Sequence, residues 1–223
     1  MKTIAGDFVL FHGSATPEIR ELRVAEEDTV GSGVYFTPDF QSALGYAITR
    51  AGNIVGGRYY NGEVPIVYEA AVGCRFVDLR DQYTLDLVFD GYVNVLKNKL
   101  EGVPNQDWLR KRVLSKSIER IQTRQYSPGC IQHVTRSNGQ MFSNYLRSSG
   151  FDGLIGEEGG EAYVGDHESW VVFDPAKPKI TKENVFDRKD LVGFKHTSSE
   201  ELAERKKSWR KLAQPEWAQP MVR

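Results

Sequence analysis

Short apolar runs bounded by glycine, proline and charged residues recur along the chain, and each predicts a β-strand. The first covers residues 8–14 and ends in His-Gly-Ser. The second, in residues 31–36, follows two glycines that suit a loop entering a strand. Residues 65–72 predict a central strand, and residues 75–78 either continue it or pair with it. Residues 168–173 predict a late strand that opens on a glutamate, and residues 150–155 predict a tight turn leading into another strand.

Apolar residues at helical spacing predict the helices. Phe40, Ala43, Leu44 and Ala47 define one buried face directly after Thr37-Pro-Asp39, where Thr37 or Asp39 is the candidate N-cap. The same spacing predicts helices in residues 83–100, 105–125 and 138–149, and a charged helix in residues 198–213. The first two of these four form a predicted helical insertion at about residues 83–126.

The resulting fold class is α+β. A length of 223 residues suits one domain with an elaboration, and 40% hydrophobic residues are enough for a real core. We assign residues 1–183 to this domain and residues 184–223 to a charged C-terminal helix and tail.

Composition restricts the setting of the protein. The 29 basic and 30 acidic residues nearly cancel, and no apolar run approaches the ~20 residues that span a bilayer. Neither a signal peptide nor a cysteine-rich metal site is evident, since Cys74 and Cys130 are the only cysteines. We therefore expect a soluble, cytoplasmic protein without a metal.

The predicted insertion is locally basic. Residues 97–124 hold eight basic side chains against three acidic ones. The basic residues are Lys97, Lys99, Arg110, Lys111, Arg112, Lys116, Arg120 and Arg124. This segment is a candidate surface for docking phosphate backbones or a protein partner, or simply a solvated helical face.

Two tyrosines flank the predicted turn between the second strand and the first helix. Tyr35 precedes the turn and Tyr46 lies near the end of the helix, so their rings are able to grip a flat ligand. The alternative is that both rings only pack in the core.

Three motifs occur in a fixed order: a strand ending in His12-Gly13, Gly-x-Tyr35-Phe before a helix, and Glu168 opening a Val-Val-Phe strand. Together they resemble the ADP-ribosyltransferases of the His-Tyr-Glu group, which includes diphtheria toxin and the poly(ADP-ribose) polymerases. The resemblance covers residues 8–50 and 138–180. It implies an ADP-ribosyltransferase-like fold, in which two small packed antiparallel or mixed β-sheets form an NAD cleft flanked by helices.

The resemblance also implies roles for individual residues. His12, Tyr35 and Glu168 would form the catalytic triad. The residues in contact with NAD would be His12, Gly13, Ser14, Tyr35, Ser42 and Tyr46. Ser42 is a departure from the polymerase pattern, because ungapped counting from Tyr35 places Ala43 where that branch has a serine that contacts the nicotinamide amide. His167 is interpreted as structural, since strand alternation points it away from Glu168.

The implied function is mono-ADP-ribosyl transfer from NAD to a protein or nucleic acid, with release of nicotinamide. A toxin or effector role, and a partner protein that neutralises the enzyme, follow from the same resemblance. The alternatives are an NAD glycohydrolase, in which water is the acceptor, and a non-catalytic module that binds NAD or ADP-ribose.

Overall fold

A computed structural model describes residues 1–24, 30–51, 64–135, 137–158 and 167–186. The six strands are β1 (Thr3–Ser14), β2 (Val34–Phe36), β3 (Ile66–Asp78), β4 (Gly153–Glu158), β5 (His167–Val172) and β6 (Lys179–Val185). The helices are α1 (Phe40–Arg50), α2 (Gln82–Glu101), α3 (Trp108–Gln122), α4 (Gln132–Thr135) and α5 (Gly139–Ser148), with a 3₁₀ turn at Pro128–Cys130. The α+β class predicted from the sequence is confirmed.

The 13-residue strand β3 organises the sheet. Along one edge it pairs antiparallel with the whole of β1, from Thr3 opposite Val77 to Ser14 opposite Ile66. Its other edge is shared, because β6 pairs with the first half and β4 runs parallel to the last three residues. The described strands thus form one mixed sheet of order β1-β3-β4-β5-β2, with β6 as a branch. The resemblance implied two small packed sheets, but the described strands form a single sheet, because β3 pairs with β1, β4 and β6.

The sheet curls until its two outer strands meet. The backbones of Phe11 and Thr37 exchange two hydrogen bonds, of 2.8 and 2.9 Å, and so join β1 to the end of β2. Side chains from all five strands of the curled path fill its inside, which we call the inner core. Its members include Leu10, Val34, Phe36, Val72, Phe76, Ile155 and Trp170.

Helices cover the outside of the sheet on two sides. On one side α1 packs Ala43 and Ala47 against Phe11 and Val67. On the other side α2, α3 and α5 form the largest cluster, the helical core, around residues such as Phe89, Tyr92 and Phe142. No helix in the described ranges is long and apolar enough to cross a membrane.

The predicted helices are confirmed where the structure describes them, and aspartates set three of their starts. The carboxylate of Asp39 caps α1 by accepting from the backbone N–H of Ser42 at 2.7 Å. Asp81 and Asp107 cap α2 and α3 in the same way, so α3 begins at Trp108 rather than at residue 105. The helix predicted for residues 198–213 lies outside the described residues.

The strand predictions needed three revisions. Strand β1 starts at Thr3, five residues before the apolar run, because β3 pairs with it throughout. Residues 75–78 continue β3 rather than forming a separate partner strand. Strand β6 was not predicted, because its residues are mostly polar and exposed, and it extends to Val185, past the proposed domain boundary at residue 183.

Candidate functional site

Strands β1 and β2 separate just beyond their single bridge, and this fork is the candidate site. Strand alternation directs the backbone N–H and C=O of Phe11 toward β2, and therefore those of Gly13 as well. The β1–β2 ladder does not continue from Phe11–Thr37 to Gly13 and Tyr35. The backbone polar groups of Gly13 consequently point into the gap between the two strands.

Helix α1 lies directly against the fork, which explains why residue 13 is a glycine. A Cβ atom at this position would overlap the carbonyl oxygen of Ala43 and lie 2.8 Å from the amide nitrogen of Ala47. The same Cβ would lie 2.9 Å from Cβ of Tyr46. This close approach places the base of the Tyr46 side chain beside Gly13.

The imidazole of His12 bridges the two strands at the fork. Its Nδ1 lies 2.8 Å from the carbonyl oxygen of Tyr35. A carbonyl only accepts, so Nδ1 carries the hydrogen and Nε2 of the neutral ring is an acceptor. Burial lowers the pKa of His12; the bond to Tyr35 opposes that shift, and the nearby charge of Arg50 adds to it. The fold therefore favours the neutral form of the His12 ring.

The Tyr35 side chain is tied to the loop that precedes β2. Its hydroxyl donates to the carbonyl of Gly31 at 2.5 Å and accepts from the backbone N–H of Val30 at 3.2 Å. The ring packs against the helical core, on the outer side of the sheet. This anchoring fixes the ring on the side of the sheet where Tyr46 also lies.

The carboxylate of Glu168 is held by two donors, Nη1 of Arg80 and Nε1 of Trp170. The Glu168 side chain is 29% exposed. Arg80 also binds the fully buried Asp78, with 2.7 Å between Nε and Oδ1. Burial alone would raise the pKa of Asp78, but the hydrogen bonds from Arg80 and Lys2 hold it below its usual value. Glu168 thus belongs to an ion-pair group in which Arg80 contacts two carboxylates and Lys2 adds a second positive charge, 2.8 Å from Asp78.

The two proposed catalytic side chains of β2 and β5 lie on opposite faces. Tyr35 is paired with Val171, so both point outward toward the helical core. Glu168 alternates with Ser169 and shares the inner face with Trp170. The structure therefore brings His12 to the backbone of Tyr35, and Gly13 to Tyr46, but does not bring the side chains of Tyr35 and Glu168 to one face.

The two serines predicted to contact the ligand have local partners. Ser42 is 2% exposed, and its hydroxyl donates to Oδ2 of Asp39 at 2.6 Å. Its single hydrogen is therefore used in the cap of α1. The Ser14 hydroxyl oxygen accepts from the backbone N–H of Thr16 at 3.1 Å, which leaves its own hydrogen for another acceptor.

Beside Tyr46 lies a polar network that the sequence did not predict. The Tyr46 hydroxyl is 2.9 Å from Nε2 of His167, which is 3.2 Å from Oγ of Ser169. Ser169 donates in turn to Oε2 of Glu158. The side chains of His167 and Glu158 are only 3% and 7% exposed. The one sequence signal was alternation, which places His167 and Ser169 on the face opposite Glu168.

Among the residues that the structure describes, no group of three or more His, Cys, Asp or Glu side chains is arranged to hold a metal ion. Comparisons of the chain with protein-family models, with curated proteins and with solved structures found no match.

Proposed function

We propose that this protein is an NAD-dependent mono-ADP-ribosyltransferase whose nicotinamide site is the fork between β1 and β2. The observation that carries the proposal is the environment of Gly13. Its backbone N–H and C=O point into the gap, and Tyr46 stands beside it on a helix that leaves no room for a side chain.

A nicotinamide group matches this environment. Its amide offers one acceptor oxygen and one donor nitrogen, which complement the N–H and C=O of a single extended residue. Its ring is a flat cation in NAD, and a tyrosine face attracts such a ring by stacking and by cation–π interaction. Tyr46, with Tyr35 on the same side of the sheet, supplies those faces.

His12 and Glu168 have complementary roles in the proposal. The neutral His12 ring offers Nε2 as an acceptor for a ribose hydroxyl. Glu168 supplies negative charge toward the ribose as the bond from C1′ to the nicotinamide nitrogen breaks. Nicotinamide leaves with the bonding electron pair as a neutral molecule, so no acid is required. The sugar then resembles an oxocarbenium ion, which an anion stabilises. The acceptor bonds to C1′, and its proton passes to the carboxylate of Glu168 as general base.

The same site serves transfer and hydrolysis, which differ only in the acceptor. A macromolecular acceptor, protein or nucleic acid, gives a transferase, and water gives an NAD glycohydrolase. Nothing in the sequence resembles the regulatory domains of the polymerases, which favours a single transfer over chain elongation. A toxin or effector with a neutralising partner protein remains the biological setting that the resemblance implies.

The test uses NAD labelled in its adenylate half, incubated with the purified protein and a cell lysate. We expect release of nicotinamide and retention of label on macromolecules, and splitting the product between protease and nuclease identifies the acceptor class. Tyr46→Ala should lose this activity, whereas Tyr83→Ala, which removes a tyrosine that is 69% exposed on α2, is the matched control. Release without retention would indicate the glycohydrolase. Calorimetric NAD binding without any release would indicate the non-catalytic module.

A further inference from the structure

The buried network around Tyr46 connects three elements that meet beside the fork. Tyr46 comes from α1, Glu158 from the end of β4, and His167 and Ser169 from β5. We propose that His167 is a positioning residue of the nicotinamide site, which holds the ring of Tyr46 in place through its hydroxyl. This inference rests on the proposed function.

Both ends of the Tyr46 side chain are fixed. Its Cβ is held by the close packing of α1 on Gly13, and its hydroxyl is held 2.9 Å from Nε2 of His167 on another strand. The two rings lie 5.2 Å apart at an angle of 75°, so His167 does not stack on Tyr46. The contact sets the direction of the tyrosine ring without covering it by a parallel neighbour.

Glu158 and Ser169 set the donor and acceptor roles at Nε2 of His167. Oε2 of Glu158 accepts from the Ser169 hydroxyl, which uses the single hydrogen of that hydroxyl. Oγ of Ser169 is then an acceptor toward Nε2 of His167, 3.2 Å away. The tautomer that suits these acceptors, and Oε2 of Glu158 at 3.6 Å, carries its hydrogen on Nε2, between Ser169 and the Tyr46 hydroxyl oxygen. The carboxylate thus orients His167, and His167 orients Tyr46.

A network of this kind also stabilises the fold. A double-mutant cycle on ligand binding separates that structural role from the positioning of Tyr46. If His167 acts through the Tyr46 hydroxyl, removal of either partner should have the same effect, and removal of both should cost no more than removal of one. A purely structural role would weaken every ligand alike, including one without nicotinamide.

The experiment measures dissociation constants of NAD and of ADP-ribose by calorimetry. The variants are Tyr46→Phe, His167→Ala, their combination, and His167→Gln, whose amide is able to keep one hydrogen bond. We expect about a fivefold to tenfold weaker NAD affinity in each single variant, the scale of one buried hydrogen bond. ADP-ribose affinity should stay unchanged, the double variant should match the singles, and His167→Gln should recover part of the loss. His133→Ala, which removes an exposed histidine, is the control.

Additive losses in the double variant, or equal losses for NAD and ADP-ribose, would overturn the positioning role while leaving the proposed function intact. Wild-type protein that neither binds NAD nor releases nicotinamide from it would overturn the proposed function, and the positioning role with it.

Discussion

His12 shows how one partly buried side chain links the fork to pH. Its pKa is lowered chiefly by burial, so the unfolded chain binds a proton more readily than the folded one. The contribution of His12 to the free energy of unfolding is therefore fully present above its pKa in the unfolded chain, about 6.5. It is lost as the pH falls toward the lower pKa of His12 in the folded protein. The neutral ring, which donates to Tyr35 and keeps Nε2 as an acceptor, is the form that the fold selects.

We expect His12→Asn to reduce this dependence on pH. The side-chain amide is able to donate to the Tyr35 carbonyl as Nδ1 does, but it does not titrate. Urea unfolding at pH 7.5 and at pH 5 measures the effect as the difference between the two free energies of unfolding. That difference should be smaller in the variant than in the wild type. Identical differences would show that His12 does not titrate on unfolding in this range.

Glu168→Gln tests the proposed charge beside the ribose. The substitution keeps the shape of the side chain, and Arg80 keeps its bonds to the buried Asp78, so we expect the fold and NAD affinity to persist. Turnover should fall about a hundredfold or more, because the lost charge acts mainly in the transition state. Single-turnover release of nicotinamide measures this, with Glu101→Gln at an exposed helix end as the control. A wild-type rate would remove Glu168 from the mechanism.

The sequence predicted single residues well where the reason is local. Asp39 was a candidate cap because it stands at the start of a helical repeat, and it does cap α1. The sequence did not predict contacts between residues that only the fold brings together. Arg80 lies 88 residues from Glu168, and Tyr46 lies 121 residues from His167. No spacing rule connects such positions, because their proximity depends on strand order and register.

At the scale of elements, the contact of α1 with β1 shapes the site. Gly13→Ala would drive a methyl group into the backbone of α1 at Ala43 and Ala47. Backbone atoms of a helix move only together, so we expect a loss of stability of about 2 kcal/mol or more. Urea unfolding measures this loss, and displacement of α1 should also weaken NAD binding.

Gly102→Ala is the control for this substitution. Gly102 ends α2 in a right-handed helical conformation, and the nearest atom to an added Cβ is 3.6 Å away. Little change in stability is expected there. Equal effects at the two positions would contradict the close packing at Gly13.

Helices and strands were predictable from the sequence where their apolar residues repeat at a regular spacing. Helices α2 and α3 show clear helical spacing, so their existence and approximate bounds followed from the sequence. The polar strand β6 and the first half of β1 carry no such pattern, since β3 supplies their hydrogen bonds and their side chains are largely exposed. The fork lies where a single backbone bridge between Phe11 and Thr37 closes the curled sheet. No pattern of side chains in the sequence indicates that bridge.

At the scale of the whole molecule, the basic residues of the insertion differ in whether the structure gives them partners. Arg124 pairs with Asp90 and also contacts Asp86, and Arg120 donates to the carbonyl of His133. Arg112 and Lys116 are exposed, and among the residues that the structure describes no ion pair engages either of them. They lie one turn apart on α3, on the same face as Trp108, which is 64% exposed.

Reversal of this exposed pair tests whether α3 docks the acceptor. We expect Arg112→Glu combined with Lys116→Glu to reduce transfer of label to the macromolecular acceptor and to leave hydrolysis of NAD by water unchanged, because neither residue lies at the fork. A matched two-charge control is Lys179→Glu with Lys182→Glu, on the exposed side of β6.

The salt dependence of transfer then separates the two acceptor classes. With a nucleic acid acceptor, the logarithm of the apparent affinity should fall with the logarithm of salt concentration by ~0.7–0.9 for each phosphate contacted. The double reversal should reduce the magnitude of that slope by the contribution of about two phosphate contacts. With a protein acceptor we expect a shallower slope and protease-sensitive, nuclease-resistant label. Full transfer by the reversed variant would show that this face of α3 is only solvated, since a surface that binds an acceptor through its charges must respond when they are inverted.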